Sequence, residues 1–533
     1  MAGKAWVKGW RARQALGATL QNPLLALAGL VALNATVYFL LFVRPWNLLV
    51  FYAQPLLDLR RLSVDDPLAR WQLLIGFVLL GLLYWLGWRT ALRAQGRMAW
   101  VLVLAGAAIS GVILLFLYPF DAADLFDNIM HGRILGVYGA NPFEQVAADF
   151  ETDPFYGYVG WHRFPSAYGP GWELIAAGTA RLAGDSILAN VFAFKALGGL
   201  FLVGCIAVVA SLLCRTAQER ALSSVLLLAW NPLILYETLG QGHNDVVMLF
   251  CILGCVGCLA CGRYTLAVLA LVTGALLKFV PLMLLPVAGL VALRGLPDTR
   301  ARLRFAFVTS CAAVILVLLA YAPFWSGAET LGLERRRELF TTSLPAVIQV
   351  LLEGPLGDER AASMVSLAAA ITTALFALWQ AVRASRDPSW QSFVRAAFAV
   401  LMFYLLFTCL WFQQWYAVWP LGLVPLLPSG HLVWLGVSYG FAVLAKPLVF
   451  EPLWLWPYPS PDRSWLEPRL GPAVLALPLL LTLAAVWSGR RARQHRAFSY
   501  ERRHVPAPYE HSTKGSKPTS PGNSNRPAGR LSP

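Results

Sequence analysis

Long unbroken apolar runs separated by short polar connections dominate this chain, and that pattern sets the structural expectations. Runs such as AWVLVLAGAAISGVILLFL lack the period-2 alternation of barrel strands, so they predict helices. A helix crosses the hydrocarbon with roughly 20 apolar residues, and runs of that order recur from Leu24 to Trp487. Fourteen spans are expected, at 24–43, 71–88, 99–117, 187–213, 221–239, 246–261, 264–278, 279–293, 305–323, 361–382, 394–410, 416–428, 432–448 and 471–487. The predicted fold is therefore an all-α polytopic bundle of about 12–14 transmembrane helices within 23–488. With the N-terminus inside, the long connections 118–186, 324–360 and 449–470 fall on the extracytoplasmic face. Residues 1–22 read as a basic cytoplasmic lead, without a cleavable signal, and 489–533 as a basic, disordered cytoplasmic tail.

Composition narrows the class. The 533 residues are 58% hydrophobic and 13% charged, whereas a soluble domain carries about a quarter charged residues. The net charge of +15 does not form a nucleic-acid patch. Its Lys and Arg sit in short loops and the tail, as orientation in a membrane requires. Membrane lipids, not nucleic acid, are the expected surroundings. The acids collect on the outer side, which insertion does not explain, so they invite a functional reading. All eight cysteines lie in apolar segments. Cys251, Cys255, Cys258 and Cys261 share a helical stripe with Gly254 and Gly257, which suits close helix packing better than a metal site.

The stretch YPFDAADLFDNIMHGRILGVYGANPF, 118–143, leaves a span and at once gathers Asp121, Asp124 and Asp127, then His131 and Arg133. It predicts a short amphipathic helix on the membrane surface, with Leu125, Ile129 and Ile134 on its apolar side. Asp121 and Asp124 could serve only as a cap and a first-turn acid, and His131 only as an interfacial polar residue. Alternatively a partly desolvated carboxylate there is a general base, and Arg133 a phosphate ligand. Further on, GQGHND (240–245) offers His243, Asn244 and Asp245, which suit either helix capping or hydrogen bonding to sugar hydroxyls. Lys278, inside GALLKFVPLMLLP, is a charge in an apolar run, which marks function unless it snorkels to the interface. FQQWYAVW (412–419) places Gln413, Gln414, Trp415, Tyr416 and Trp419 as an aromatic belt or a sugar-stacking surface. Arg335–Arg337 and Lys446 are further outward cations.

Five of these segments together resemble a known family. D-x6-HGR-x7-NPF from Asp124, SAYGPGWELIAA (166–177), WNPLILYETLGQGHNDVVMLF (230–250), LALVTGALLKFVPLMLLP (269–286) and WFQQWYAVWPLGL (411–423) occur in the order found in GT-C glycosyltransferases. Those enzymes use polyprenyl-phosphate sugars, and the likeness is to the bacterial polyprenol-phosphomannose-dependent mannosyltransferases. His131 in place of an Asp, and a two-span hairpin ahead of the first loop, depart from that pattern. The resemblance implies transfer of a hexose, mannose in particular, from a polyprenyl-phosphate donor to an extracytoplasmic glycan or glycolipid, with inversion. It implies Asp124 as base with Asp121 behind it, Lys278 and Arg133 at the donor phosphate, and His243, Asn244, Asp245, Gln414, Trp415 and Tyr416 around sugar or acceptor. No metal is required, since Lys and Arg can meet a monophosphate leaving group, although three clustered acids leave a divalent cation open. The alternatives are a multi-spanning transporter or lipid-linked-sugar flippase, and a polymerase or ligase of surface polysaccharide.

Overall fold

A computed structural model describes residues 22–55, 68–332, 340–428, 430–455, 472–484 and 486–488. Its internal contacts separate Met1–Thr482 from Leu483–Pro533, and the architecture below belongs to the first unit. The expected lead and tail, and the cluster Arg335–Arg337, lie outside the described residues, as does most of 449–470. The same holds for the side chain of Lys446.

Among the described residues the protein is helical and has no strands beyond two isolated bridges, Asn47 with Leu117 and Thr341 with Trp411. The principal helices are α1 (Pro23–Tyr38), α2 (Ala69–Ala91), α3 (Arg97–Leu115), α4 (Asp124–Gly136), α5 (Pro170–Ala183), α6 (Ile187–Thr216) and α7 (Gln218–Ala229). There follow α8 (Asp245–Ala260), α9 (Tyr264–Ala275), α10 (Leu285–Gly295), α11 (Thr299–Tyr321), α12 (Leu344–Leu356), α13 (Asp358–Ala384), α14 (Trp390–Phe403) and α15 (Gly430–Leu455).

Among the described residues seven segments are long and apolar enough to cross a membrane, and the pair 218–229 and 232–240 meets the same criterion when its two helices, bent by 44° at the break, are taken together. The outward faces agree with a lipid surround. On α11 only Thr309 is buried, while Phe307, Leu318 and Leu319 are 72%, 64% and 69% exposed. Such a surface is stable against acyl chains and not against water.

The expected spans 246–261, 264–278 and 279–293 form shorter helices, Asp245–Ala260, Tyr264–Ala275 and Val280–Gly295. The expected span 416–428 needs correction. It is a chain of short turns, Gln414–Ala417, Val418–Leu421 and Val424–Leu426. Pro420 and Pro425 each lack the N–H that a continuous helix requires. Every residue from Ala417 to Leu427 is buried. Broken backbone is tolerated at membrane depth only when protein covers it, and here α8, α14 and α15 do so.

The first long connection is built as a packed cap. α4 lies against α5 so closely that a Cβ on Gly132 would sit 2.6 Å from the Ala176 carbonyl oxygen, and one on Gly136 2.5 Å from that of Ala177. The expected surface helix with a wet face is thus also corrected. Residues 125–134 are all buried, because α5 and the turns of 147–165 cover the polar side.

The cysteines support the packing reading. All eight are free thiols, and α8, which carries the stripe, packs on α6 and α9.

Candidate active site

Two features aim the end of α3 at the site. Lys195 of α6, wholly buried, donates to the Leu117 carbonyl and, at 3.5 Å, to that of Leu115. Carbonyls left over at a helix C-terminus need N–H donors. The backbone then pairs with 46–48 through Tyr118 N–H to the Trp46 carbonyl (2.8 Å) and Leu48 N–H to that of Phe116 (2.7 Å). The chain is delivered at Asp121 in a fixed position.

Asp121 neither caps α4 nor stands free. Its carboxylate accepts from Gln414 Nε2 and meets the Tyr236 hydroxyl, while its own N–H donates to Gln241 Oε1 at 2.9 Å. It clasps three distant motifs together. Asp124 occupies the first turn of α4 and keeps partial exposure although protein surrounds it. Burial raises its pKa, against the pull of His243 and Lys278. Asp127 points elsewhere: its Oδ1 accepts from the N–H groups of Gly160 (3.0 Å) and Trp161 (3.1 Å), while Oδ2 has no partner. Burial and the neighbouring Asp124 push it up to about 8. The three acids therefore serve three different sets of partners. Among the described residues no group of three His, Cys, Asp or Glu side chains is placed to hold a metal.

GQGHND provides the facing wall. Gly242 takes φ +80°, a conformation that side-chain-bearing residues rarely adopt, and its Cα lies against Leu125 of α4. This turn delivers His243, whose ring stacks on Trp415 at 3.9 Å and 14°. Glu237 Oε2 stands 3.0 Å from His243 Nδ1 but off the line of a hydrogen bond, so both groups are buried without a bonded partner. Burial lowers the His243 pKa, with Asp124, Asp245 and Asp121 opposing. Asn244 holds the N-cap position of α8, yet its side chain makes no capping bond.

Asp245, 1% exposed, is the hub of the site. Its Oδ1 accepts from Lys278 Nζ at 2.7 Å and from Trp419 Nε1 at 2.5 Å; its Oδ2 is unpartnered. Lys278 Nζ lies over the rings of Tyr416 (4.7 Å), Trp419 (5.4 Å) and Tyr168 (5.5 Å), an aromatic enclosure that favours a cation. The turn bearing Lys278 is fixed from outside. Gly169 and Gly171 donate their N–H groups to the carbonyls of Leu277 (3.0 Å) and Leu276 (2.9 Å). Tyr168-Gly169-Pro170 is thereby sewn to the Lys278 turn, and Tyr168 OH reaches Asn128 on α4.

The structure thus brings Asp121, Asp124, His243, Asn244, Asp245, Lys278, Gln414, Trp415 and Tyr416 to one end of the bundle. It does not bring Arg133 there. Nine residues along α4 from Asp124, about 13 Å at 1.5 Å per residue, its guanidinium binds Asp153 (2.8 Å), Asp185 (2.8 Å) and the Gly184 carbonyl (3.0 Å) over the Phe155 ring. It ties α4 to the start of α6 and is corrected from phosphate ligand to structural anchor. His131 is buried, its imidazole pushed down to about 4 by desolvation, so it is neutral, and it meets the backbone at Phe164. Sequence reading missed Glu237 and Lys195. Each is an ionisable residue inside an apolar run, the same signal that singled out Lys278.

Residues 24–294 match the family described as Alpha-(1->6)-mannopyranosyltransferase, N-terminal domain. That range carries four of the five motifs and stops before 411–423. The chain is also similar to Alpha-(1->6)-mannopyranosyltransferase B of Corynebacterium glutamicum, 26% identical over 137 residues, which covers 25% of this chain and 22% of the relative's length. With about half of its length matched, and the gathered motifs lying in that half, the chain belongs to the alpha-(1->6)-mannopyranosyltransferase family.

Proposed function

We propose that the protein is a membrane glycosyltransferase that moves mannose from a polyprenyl-phosphate carrier to an extracytoplasmic glycan or glycolipid at the cell membrane. One observation carries this reading. An Asp with a raised pKa, an aromatic-enclosed Lys and a stacked His–Trp pair, drawn from four separate motifs, meet at one end of the bundle.

The acceptor hydroxyl attacks the anomeric carbon and loses its proton to the Asp124 carboxylate. The bond from that carbon to the phosphate oxygen breaks, and its electron pair leaves with the polyprenyl phosphate. A base works best with a pKa near the operating pH, and burial moves Asp124 in that direction. Lys278 presents its ammonium to the leaving phosphate. One of its three N–H bonds is spent on Asp245, which holds the ammonium in place and leaves two for the donor. His243, Asn244 and Trp415 line the sugar's position, with Gln414 and Asp121 holding that wall to α4. Attack from the face opposite the phosphate inverts the anomeric centre.

A transporter would place its charges near mid-bilayer on interrupted helices of matching halves. Here Asp124, Asp245 and Lys278 lie at helix ends. The test is to supply membranes with mannose labelled on a polyprenyl phosphate or on a nucleoside diphosphate. The reading predicts incorporation into an elongated glycan from the first donor alone. Direct incorporation from the nucleotide sugar, or movement of the label across the bilayer without transfer, would reject it.

A further inference from the structure

Beside the acid-bearing helix an aromatic cluster faces outward that the mechanism above does not use. Trp161 and Phe164 are 41% and 49% exposed, and their rings meet edge-on at 5.3 Å. Trp411 joins them from a separate part of the chain, at 6.2 Å and 67° from Trp161. Edge-on contacts leave ring faces uncovered.

The backbone that carries the cluster is pinned by hydrogen bonds, one of them to the acid-bearing helix. Trp161 N–H is held by Asp127 Oδ1, one helical turn from Asp124, and the neighbouring His162 carbonyl accepts from Ala148 N–H at 2.9 Å. Trp411 is clamped on both flanks: Thr341 N–H donates to the Leu410 carbonyl (3.1 Å), Phe412 N–H to that of Thr341 (3.2 Å), and Ser343 Oγ to that of Leu410 (2.8 Å). Four residues later the same strand of chain presents Trp415 against His243. A lipid belt needs aromatic side chains at the right depth but no fixed ring orientation. A surface that stacks on sugar rings needs rings held still, because ordering them on binding would cost affinity.

We propose that Trp161, Phe164 and Trp411 form an acceptor platform, on which the apolar faces of a mannoside chain stack while its end reaches Asp124. The inference rests on the transferase reading for the identity of its ligand. The chemical class is a linear α-(1→6)-linked mannoside several residues long.

The test is a binding titration of α-(1→6)-mannohexaose, followed by saturation-transfer NMR, with the full chain in detergent micelles. No donor is added and no turnover is needed, so failure here and failure of the transferase reading are separable. Trp161→Leu and Trp411→Leu, which keep an apolar side chain suited to lipid, are expected to bind roughly tenfold more weakly. Trp161→Phe, which keeps a ring, should hold most of the affinity and controls for folding. Wild type that binds no mannohexaose, or leucine variants that bind it as wild type does, would overturn the platform. The second outcome would return these side chains to the lipid interface.

Discussion

Replacing Lys278 by Met removes the ammonium from a carboxylate that is otherwise sealed in. Asp245 is 1% exposed, and after the change its carboxylate keeps the Trp419 indole N–H as a donor. Breaking a buried ion pair from one side costs roughly 3–5 kcal/mol, because the remaining charge stays desolvated. The Lys278 side chain is 15% exposed, so water can reach part of the vacated space and the figure falls to the lower end, about 3 kcal/mol. The double variant Lys278→Met/Asp245→Asn leaves no buried charge and should recover about 2 kcal/mol of that loss. The assay is thermal unfolding of the full chain in detergent at one fixed scan rate, since unfolding of such a protein is read as a rate. The unfolding midpoint should drop for Lys278→Met and return most of the way in the double variant, while sugar transfer stays absent in both. A Lys278→Met protein as stable as wild type, or a double variant no more stable than the single one, would refute the pairing argument.

The pH profile follows from the raised pKa of Asp124: the ionised form is the proposed base, so kcat/KM should hold at higher pH and fall as pH drops through a pKa above the ordinary 3.8. An acid limb at the ordinary value would contradict this. Asp127, pushed up to about 8, is largely protonated at pH 7, so Asp127→Asn should keep activity within about threefold; a loss as deep as that of Asp124→Asn would reject the distinction. Gly169→Ala would place a methyl 2.2 Å from the Leu276 carbonyl oxygen, costing about 1–3 kcal/mol and shifting the Lys278 turn. Its transfer rate and unfolding midpoint should fall together, and an unaffected rate would show that the Tyr168 segment does not hold Lys278. Lys195→Met strips the hydrogen-bond donor from the end of α3, with an expected loss of about 1–3 kcal/mol and a lower kcat at unchanged donor KM; an unchanged unfolding midpoint would count against that role.

Much of this was legible in the sequence because it rests on local signals. Apolar run length marked the helices, and of the ten site candidates that polar and aromatic residues at helix ends supplied, nine come together at one end of the bundle. What was not legible depends on distant partners. Arg133 looks like a phosphate ligand until Asp153 and Asp185 fold back onto it, and Asp121 looks like a cap until Gln414, 293 residues away, arrives. The helix at 124–136 has a polar side in sequence, but only the packed 147–183 region decides whether water touches it. Likewise 416–428 has the composition of a span, and its prolines break it into turns that only complete burial can support.

The proposed mechanism turns on Asp124 taking the acceptor's proton. Its most direct test is single-turnover transfer of labelled mannose from a polyprenyl phosphate by purified wild type and Asp124→Asn, with donor binding measured alongside. The variant's rate should be lower by about 10²–10⁴-fold with donor binding retained. A variant that transfers within a few-fold of wild type would contradict it.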